Sequence, residues 1–96
     1  MEVRWLAKAL RNLDDEAEYI SGENPAAAEA LIQRIHEAVS RLQANPAMGR
    51  PGRIHGTREL VVPGTPYIIP YRVRPRLNRV EILRVFHASR RLPARW

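Results

Sequence analysis

The sequence predicts an α+β fold with the order β-α-α-β-β-β. An N-terminal strand precedes an antiparallel helical hairpin, which packs on one face of a small, mainly antiparallel sheet. Three observations predict it. Apolar residues recur at helical spacing twice within the first 45 positions. Beyond residue 46 the chain turns to short β-branched and aromatic segments separated by Pro, Gly and Asn. At 96 residues it is sized for a single domain with a single core.

Residues 2–6, EVRWL, are short and apolar-rich and read as the first strand. Leu6, Leu10, Leu13, Ala17 and Ile20 then recur at spacings of four and three, which places them on one helix face. Asp14, Asp15, Glu16 and Glu18 lie mostly off that stripe and solvate the outside. Gly22 closes the helix as a residue that tolerates a left-handed cap. A second helix starts at Asn24-Pro25, because Asn caps free backbone N–H groups and Pro is preorganised for the first helical position. Ala28, Leu31, Ile32, Ile35, Val39 and Leu42 form its apolar stripe, and Asn45-Pro46 ends it. Leu10, Leu13, Leu31, Ile35 and Leu42 are expected in the core. So short a connection makes the two helices antiparallel neighbours.

The stretch NPAMGRPGRIHG carries three Gly and two Pro in twelve residues and reads as a loop. RELVV (58–62), YIIPYRV (67–73) and VEILRVFH (80–87) read as strands, with turns at Pro63–Pro66 and Pro75–Asn78. Pro70 cannot donate to a ladder, so a bulge or a locally unpaired edge is expected there. With helices on one sheet face, the other face is expected to stay open. Alternation allows Arg72, Arg74 and Arg84 all to point onto it.

Charge is unevenly placed. Residues 1–45 hold five basic and eight acidic side chains, net −3, whereas residues 46–96 hold eleven and two, net +9. The C-terminal half is therefore a strongly positive surface suited to polyanions or an acidic partner. Fifteen of the sixteen basic residues are Arg, the side chain that forms bidentate bonds to phosphate and carboxylate, though a GC-rich genome also favours its codons. There is no cysteine, which excludes a disulfide framework and a thiolate metal site. His36 and His55 have no partner at metal spacing, so no metal is expected and no cofactor is implied. The opening Met-Glu-Val-Arg-Trp is unlike a secretory signal, and no apolar run is long enough for a membrane helix. A cytoplasmic protein is expected.

Three stretches together resemble the RelE/ParE superfamily of toxins from type II toxin–antitoxin systems. They are ALRNLDDEAEYISGENPAAAEALIQRI, NPAMGRPGRIHGTRELVV, and YIIPYRV followed by VEILRVFHASR, which together cover residues 3–90. The resemblance implies one toxin domain over residues 1–96, with a basic tail at 88–96. It implies growth arrest relieved by a ParD- or RelB-like antitoxin whose C-terminal segment folds against the toxin, giving a hetero-oligomer.

The superfamily has two activities. ParE-like members poison DNA gyrase without established catalytic chemistry of their own, and RelE-like members cut mRNA in the ribosome. The third and fourth strands are closer to the ParE branch. Where the nuclease branch commonly has Arg after the aromatic residue that opens the third strand, Tyr67 is here followed by Ile68. The tail ASRRLPARW also lacks that branch's Tyr. Gyrase poisoning is therefore the first reading. A ribosome-dependent endoribonuclease and a non-toxic, antitoxin-binding member stay open. Metal-free RNA cleavage needs groups that move protons and cations that stabilise phosphorus. Glu59, Arg72, Arg84 and His87 are the candidates for it, His87 as the acid. Arg50, Arg53, Arg58, Arg72, Arg84, Arg90, Arg91, Arg95 and Trp96 are candidates for binding target or antitoxin. The bland roles remain beside these: a strand-end histidine, sheet-face solvation and turn support.

Overall fold

The computed structural model describes residues 1–89 and 96. Strand β1 (Glu2–Trp5) leads into helix α1 (Ala7–Ser21) and helix α2 (Pro25–Ser40), followed by a short 3-10 turn (Arg41–Gln43). Strands β2 (Arg50–Pro51), β3 (Arg58–Val61), β4 (Tyr67–Arg74), β5 (Arg79–Ile82) and β6 (Phe86–His87) complete the order. The sheet runs β1-β5-β4-β3-β2, and β6 continues on β4. The predicted α+β class and element order hold. The pairing β1–β5 is parallel and the other pairings are antiparallel. Among the described residues no helix is long and apolar enough to cross a membrane.

The α2 start follows the sequence: Asn24 Oδ1 accepts from the Ala27 N–H at 3.1 Å, with Pro25 in the first turn. The inward face of α2 is Ala28, Leu31, Ile35, Ala38 and Val39. Helix α1 departs from the expected stripe. Its buried residues are Ala9, Leu13 and Glu16, while Leu10 is 45% exposed. The face is rotated by about one residue because small Ala9 fits against the core and Glu16 finds a buried hydroxyl at Tyr67. The cap at Gly22 also differs. It keeps right-handed helical angles, φ −59°, so the left-handed conformation is not used there.

On the helix side, Leu60, Val62, Tyr67, Ile69, Tyr71, Val80, Ile82 and Val85 meet Ala9, Leu13, Leu31, Ile35, Val39 and Leu42. Burial of such side chains is the main stabilising term, at about 25 cal/mol per Å² of apolar surface. Tyr71 is fully buried and ties the 46–49 loop to the sheet. Its hydroxyl donates to the Pro46 carbonyl at 2.7 Å and accepts from the Gly49 N–H at 2.8 Å. A side chain at Gly49 would lie 2.7 Å from the Tyr71 ring, so only Gly permits this approach.

The predicted continuous strand 80–87 is broken by a bulge. Tyr71 faces Ile82 and Ile68 faces Phe86, so three steps on β4 oppose four on the other strand. The break lies opposite Pro70. The Pro70 carbonyl accepts from the Leu83 N–H at 2.9 Å, which puts its proton-less nitrogen on the same side. The Val85 N–H, freed by the bulge, donates to Asn12 Oδ1 of α1 at 3.2 Å. Residues 50–51, expected as loop, form a short edge strand against β3. Nor is the far sheet face simply open, since Glu59, Ile68, Pro70, Glu81 and Leu83 are buried on it.

Candidate functional site

The far face is built by alternation. Val80 and Ile82 of β5 face the core, so Arg79 and Glu81 face away. On β4, Tyr71 and Val73 face the core, so Arg72 and Arg74 face away. The hairpin turn at Pro75–Leu77 ends at Asn78 in the left-handed region, φ 49°, where Asn is tolerated. That turn sets a register in which Arg72 lies opposite Glu81 and Arg74 opposite Arg79. Glu81 becomes the hub. Its Oε1 accepts from Arg72 Nε at 2.7 Å and Arg74 Nε at 3.2 Å, and its Oε2 from Arg79 Nη1 at 3.5 Å. The Arg72 guanidinium, then those of Arg74 and its charge, hold the Glu81 carboxyl below its ordinary range against the opposing effect of burial.

A second carboxylate, Glu59 of β3, is held by Arg50 across the β2–β3 pair and by Arg53. The Arg53 backbone N–H also donates to Glu59 Oε2 at 2.9 Å. Burial works to raise the Glu59 carboxyl, but the Arg53 N–H and the two guanidiniums outweigh it and hold the carboxyl low. Glu59 and Glu81 are therefore weak proton acceptors already committed to arginines.

His87 lies elsewhere. The bulge turns it to the helix side opposite Tyr67, with the two rings 5.3 Å apart in an edge arrangement. Its Nδ1 accepts from the Ser89 backbone N–H at 3.3 Å, which places the proton of the neutral ring on Nε2. The Ser89 hydroxyl is 2.7 Å from the same nitrogen. The Tyr67 hydroxyl donates to Glu16 Oε2 at 2.8 Å. These side chains close one end of a groove of about 670 Å³ between the helical hairpin and the β3–β4 turn. Its walls include Tyr19, Ile20, Ala27, Ala30 and Leu31, and Arg34 lies beside Gly64.

The four candidates for RNA cleavage are thus not brought together. Glu59 and Arg72 sit in separate ion-pair clusters, and His87 is on the opposite face. Arg84 falls in the bulge, where its guanidinium donates to the carbonyls of Leu83 and Trp96 and burial lowers its pKa. Among the binding candidates, Arg50, Arg53 and Arg72 reach solvent on the far face. Arg58 is turned to the carbonyls of Ala47 and Gly49. Trp96 lies against Phe86 with ring centres 5.2 Å apart. Arg90, Arg91 and Arg95 lie outside the described residues. Among the described residues no three His, Asp or Glu side chains gather as a metal site.

The family model described as ParE toxin of the parDE type II toxin–antitoxin system matches residues 3–92. The chain belongs to the ParE toxin family. Among its curated relatives, the Sinorhizobium fredii protein Y4kP, named as a toxin, is 50% identical over 91 residues, covering 95% of this chain and 92% of that protein. Toxin RelE2 of Caulobacter vibrioides is 35% identical over 89 residues, covering 93% and 97%. Among solved structures, the chromosomal ParDE system of P. aeruginosa superposes with a TM-score of 0.83 at 32% identity, covering 93% of this chain and 97% of that one. The RelBE2 toxin–antitoxin complex of Mycobacterium tuberculosis gives 0.62 at 29% identity, covering 92% of each.

For this ParE-family chain, the sequence reading missed Glu81, Glu16 and Tyr67 as site residues. Glu81 was findable. It shares its alternation phase with Arg79 on β5, and the PRLN turn brings that phase opposite Arg72 and Arg74. Glu16 was not, because its burial depends on a tyrosine 51 residues further along the chain.

Proposed function

We propose that this type II toxin arrests growth by binding DNA gyrase rather than by cutting RNA, and that its antitoxin occupies the groove on the helical hairpin. The observation that carries the first part is the separation of the imidazole from the arginines and their carboxylates. In-place RNA cleavage needs an acid, a base and cations around one phosphate. Here the low-pKa carboxylates are bound to arginines on one face and the imidazole is on the other. The far face suits docking by charge. The groove supports the second part, because Ala27 and Ala30 are exposed on its wall and Tyr19 is 71% exposed at its edge. An apolar helix from an antitoxin would cover them.

The test is plasmid supercoiling and cleavage by gyrase with toxin freed from its antitoxin. Accumulation of linear, gyrase-linked DNA is expected, and His87→Ala is expected to inhibit within threefold of the parent. Undisturbed supercoiling at excess toxin, with loss of toxicity in a folded His87→Ala variant, would overturn the reading in favour of mRNA cleavage.

A further inference from the structure

Along the groove wall, Ala27, Ala30, Leu31 and Arg34 follow one another at helical spacing on α2. Three apolar positions thus lead to a cation. The Arg34 guanidinium reaches across to the β3–β4 turn, where its Nη1 donates to the Gly64 carbonyl at 3.5 Å, the long limit of a hydrogen bond. Gly64 has φ 73°, and a side chain there would collide with Nη1, so the bare turn leaves room for the guanidinium. This is the only hydrogen bond of the Arg34 side chain among the described residues. The sheet arginines Arg50, Arg53, Arg72, Arg74 and Arg79 each hold a carboxylate, whereas Arg34 pairs with none among the described residues.

Arg34 also borders two depressions. On one side is the groove of about 670 Å³, and on the other a smaller one of about 270 Å³ that reaches Arg41, Val62 and Pro63. Arg41 follows Arg34 by about two helical turns. The smaller depression therefore has two guanidiniums and a single carboxylate, Glu37, on its walls.

We propose that Arg34 is the specificity-determining residue of the groove, where its guanidinium leaves Gly64 and takes one carboxylate of the antitoxin in a bidentate pair. This rests on the reading that an apolar antitoxin helix fills the groove. The exchange replaces a long neutral hydrogen bond by a charge-assisted pair in a setting that the docked helix partly dries. An apolar helix without an acid at that point would cover the guanidinium and leave it unpaired, which rejects the wrong partner. The net charge of +6 favours an acidic partner from the first encounter.

The experiment is calorimetric titration of the full chain with the antitoxin encoded beside it. Arg34→Ala is expected to weaken binding about thirtyfold, the lower range for one lost member of a desolvated charge pair. Arg34→Lys, which keeps the charge but loses the fork, is expected to weaken it about fivefold. Both variants should melt within about 4 °C of the parent, because a single weak surface bond is lost. Arg34→Glu is expected to lose at least a hundredfold. Reversing each Asp and Glu of the antitoxin to Lys, one at a time, should yield one variant that restores at least tenfold of that loss and binds the parent toxin more weakly.

Parental affinity in Arg34→Ala, or an Arg34→Glu that no reversed antitoxin rescues, would overturn the proposal. If Ala30→Arg, in the middle of the apolar stripe, still blocks binding in that case, the groove reading stands and only the role of Arg34 falls. Parental affinity in Ala30→Arg would remove the groove reading and the proposal with it. Parental antitoxin affinity in Arg34→Ala with loss of gyrase inhibition would give the guanidinium to the target and overturn the proposal.

Discussion

Replacing Tyr71 by Phe removes a single oxygen from a side chain with no exposure to solvent. That oxygen donates to the Pro46 carbonyl at 2.7 Å and accepts from the buried Gly49 N–H at 2.8 Å. No cavity of consequence results, so the cost is one of hydrogen bonding. An orphaned buried donor costs about 1–3 kcal/mol, and loss of the second bond adds about 1 kcal/mol. The total, about 2–4 kcal/mol, is a large part of the roughly 5–15 kcal/mol by which a domain is stable. At about 4–8 °C per kcal/mol for a chain of this size, the melting temperature should fall by at least about 8 °C. Urea titration followed by far-UV circular dichroism is the assay. It should give a lower midpoint with an unchanged slope, because the surface exposed on unfolding is the same. A loss below 1 kcal/mol would refute the reasoning. It would mean that water or a shift of the 46–49 loop satisfies the Gly49 N–H once the hydroxyl is gone.

Two further outcomes are expected. The Glu59 and Glu81 carboxyls are lowered in the folded chain, so their stabilising effect is complete above the ordinary Glu value of about 4.3 and is lost as pH falls through their lowered folded values. Denaturant midpoints measured from pH 6 downward should decline in that window, and Glu59→Gln should flatten the decline. Ala30→Arg places a charge on the exposed groove wall and should weaken antitoxin affinity about a hundredfold in calorimetry without changing the melt. Parental affinity in that variant would remove the groove from the antitoxin interface.

Local signals made much of the fold legible. The Asn24-Pro25 start, the α2 stripe and the Pro63–Pro66 and Pro75–Asn78 turns each act over a few residues, and each fixes an element by its own chemistry. The failures are non-local. Nothing within EVRWL says that it pairs with β5, or that the pairing is parallel. In α1, two helical faces one position apart were compatible with the spacing. Leu10 outweighs Ala9 in hydrophobicity, yet the tighter approach selected alanine and left the leucine exposed. The candidate site was half legible for the same reason. Alternation predicted which arginines leave the core on β4, but one phase running unbroken from 80 to 87 would put Arg84 and His87, three residues apart, on opposite faces, so alternation did not support grouping both with Glu59 and Arg72.

That phase has a wider consequence. Were residues 83–87 to continue in the β5 register, the pairing of Tyr71 with Ile82 would carry on to set Val85 against Ile68 and Phe86 against Tyr67. His87 would then emerge among the arginines. The register past the bulge therefore decides whether imidazole and guanidinium share a surface in this architecture. A lineage could exchange a docking face for one with an acid beside its cations by closing the bulge through a register slip, keeping every side chain it already had, whereas deleting the extra residue would leave His87 opposite Tyr67.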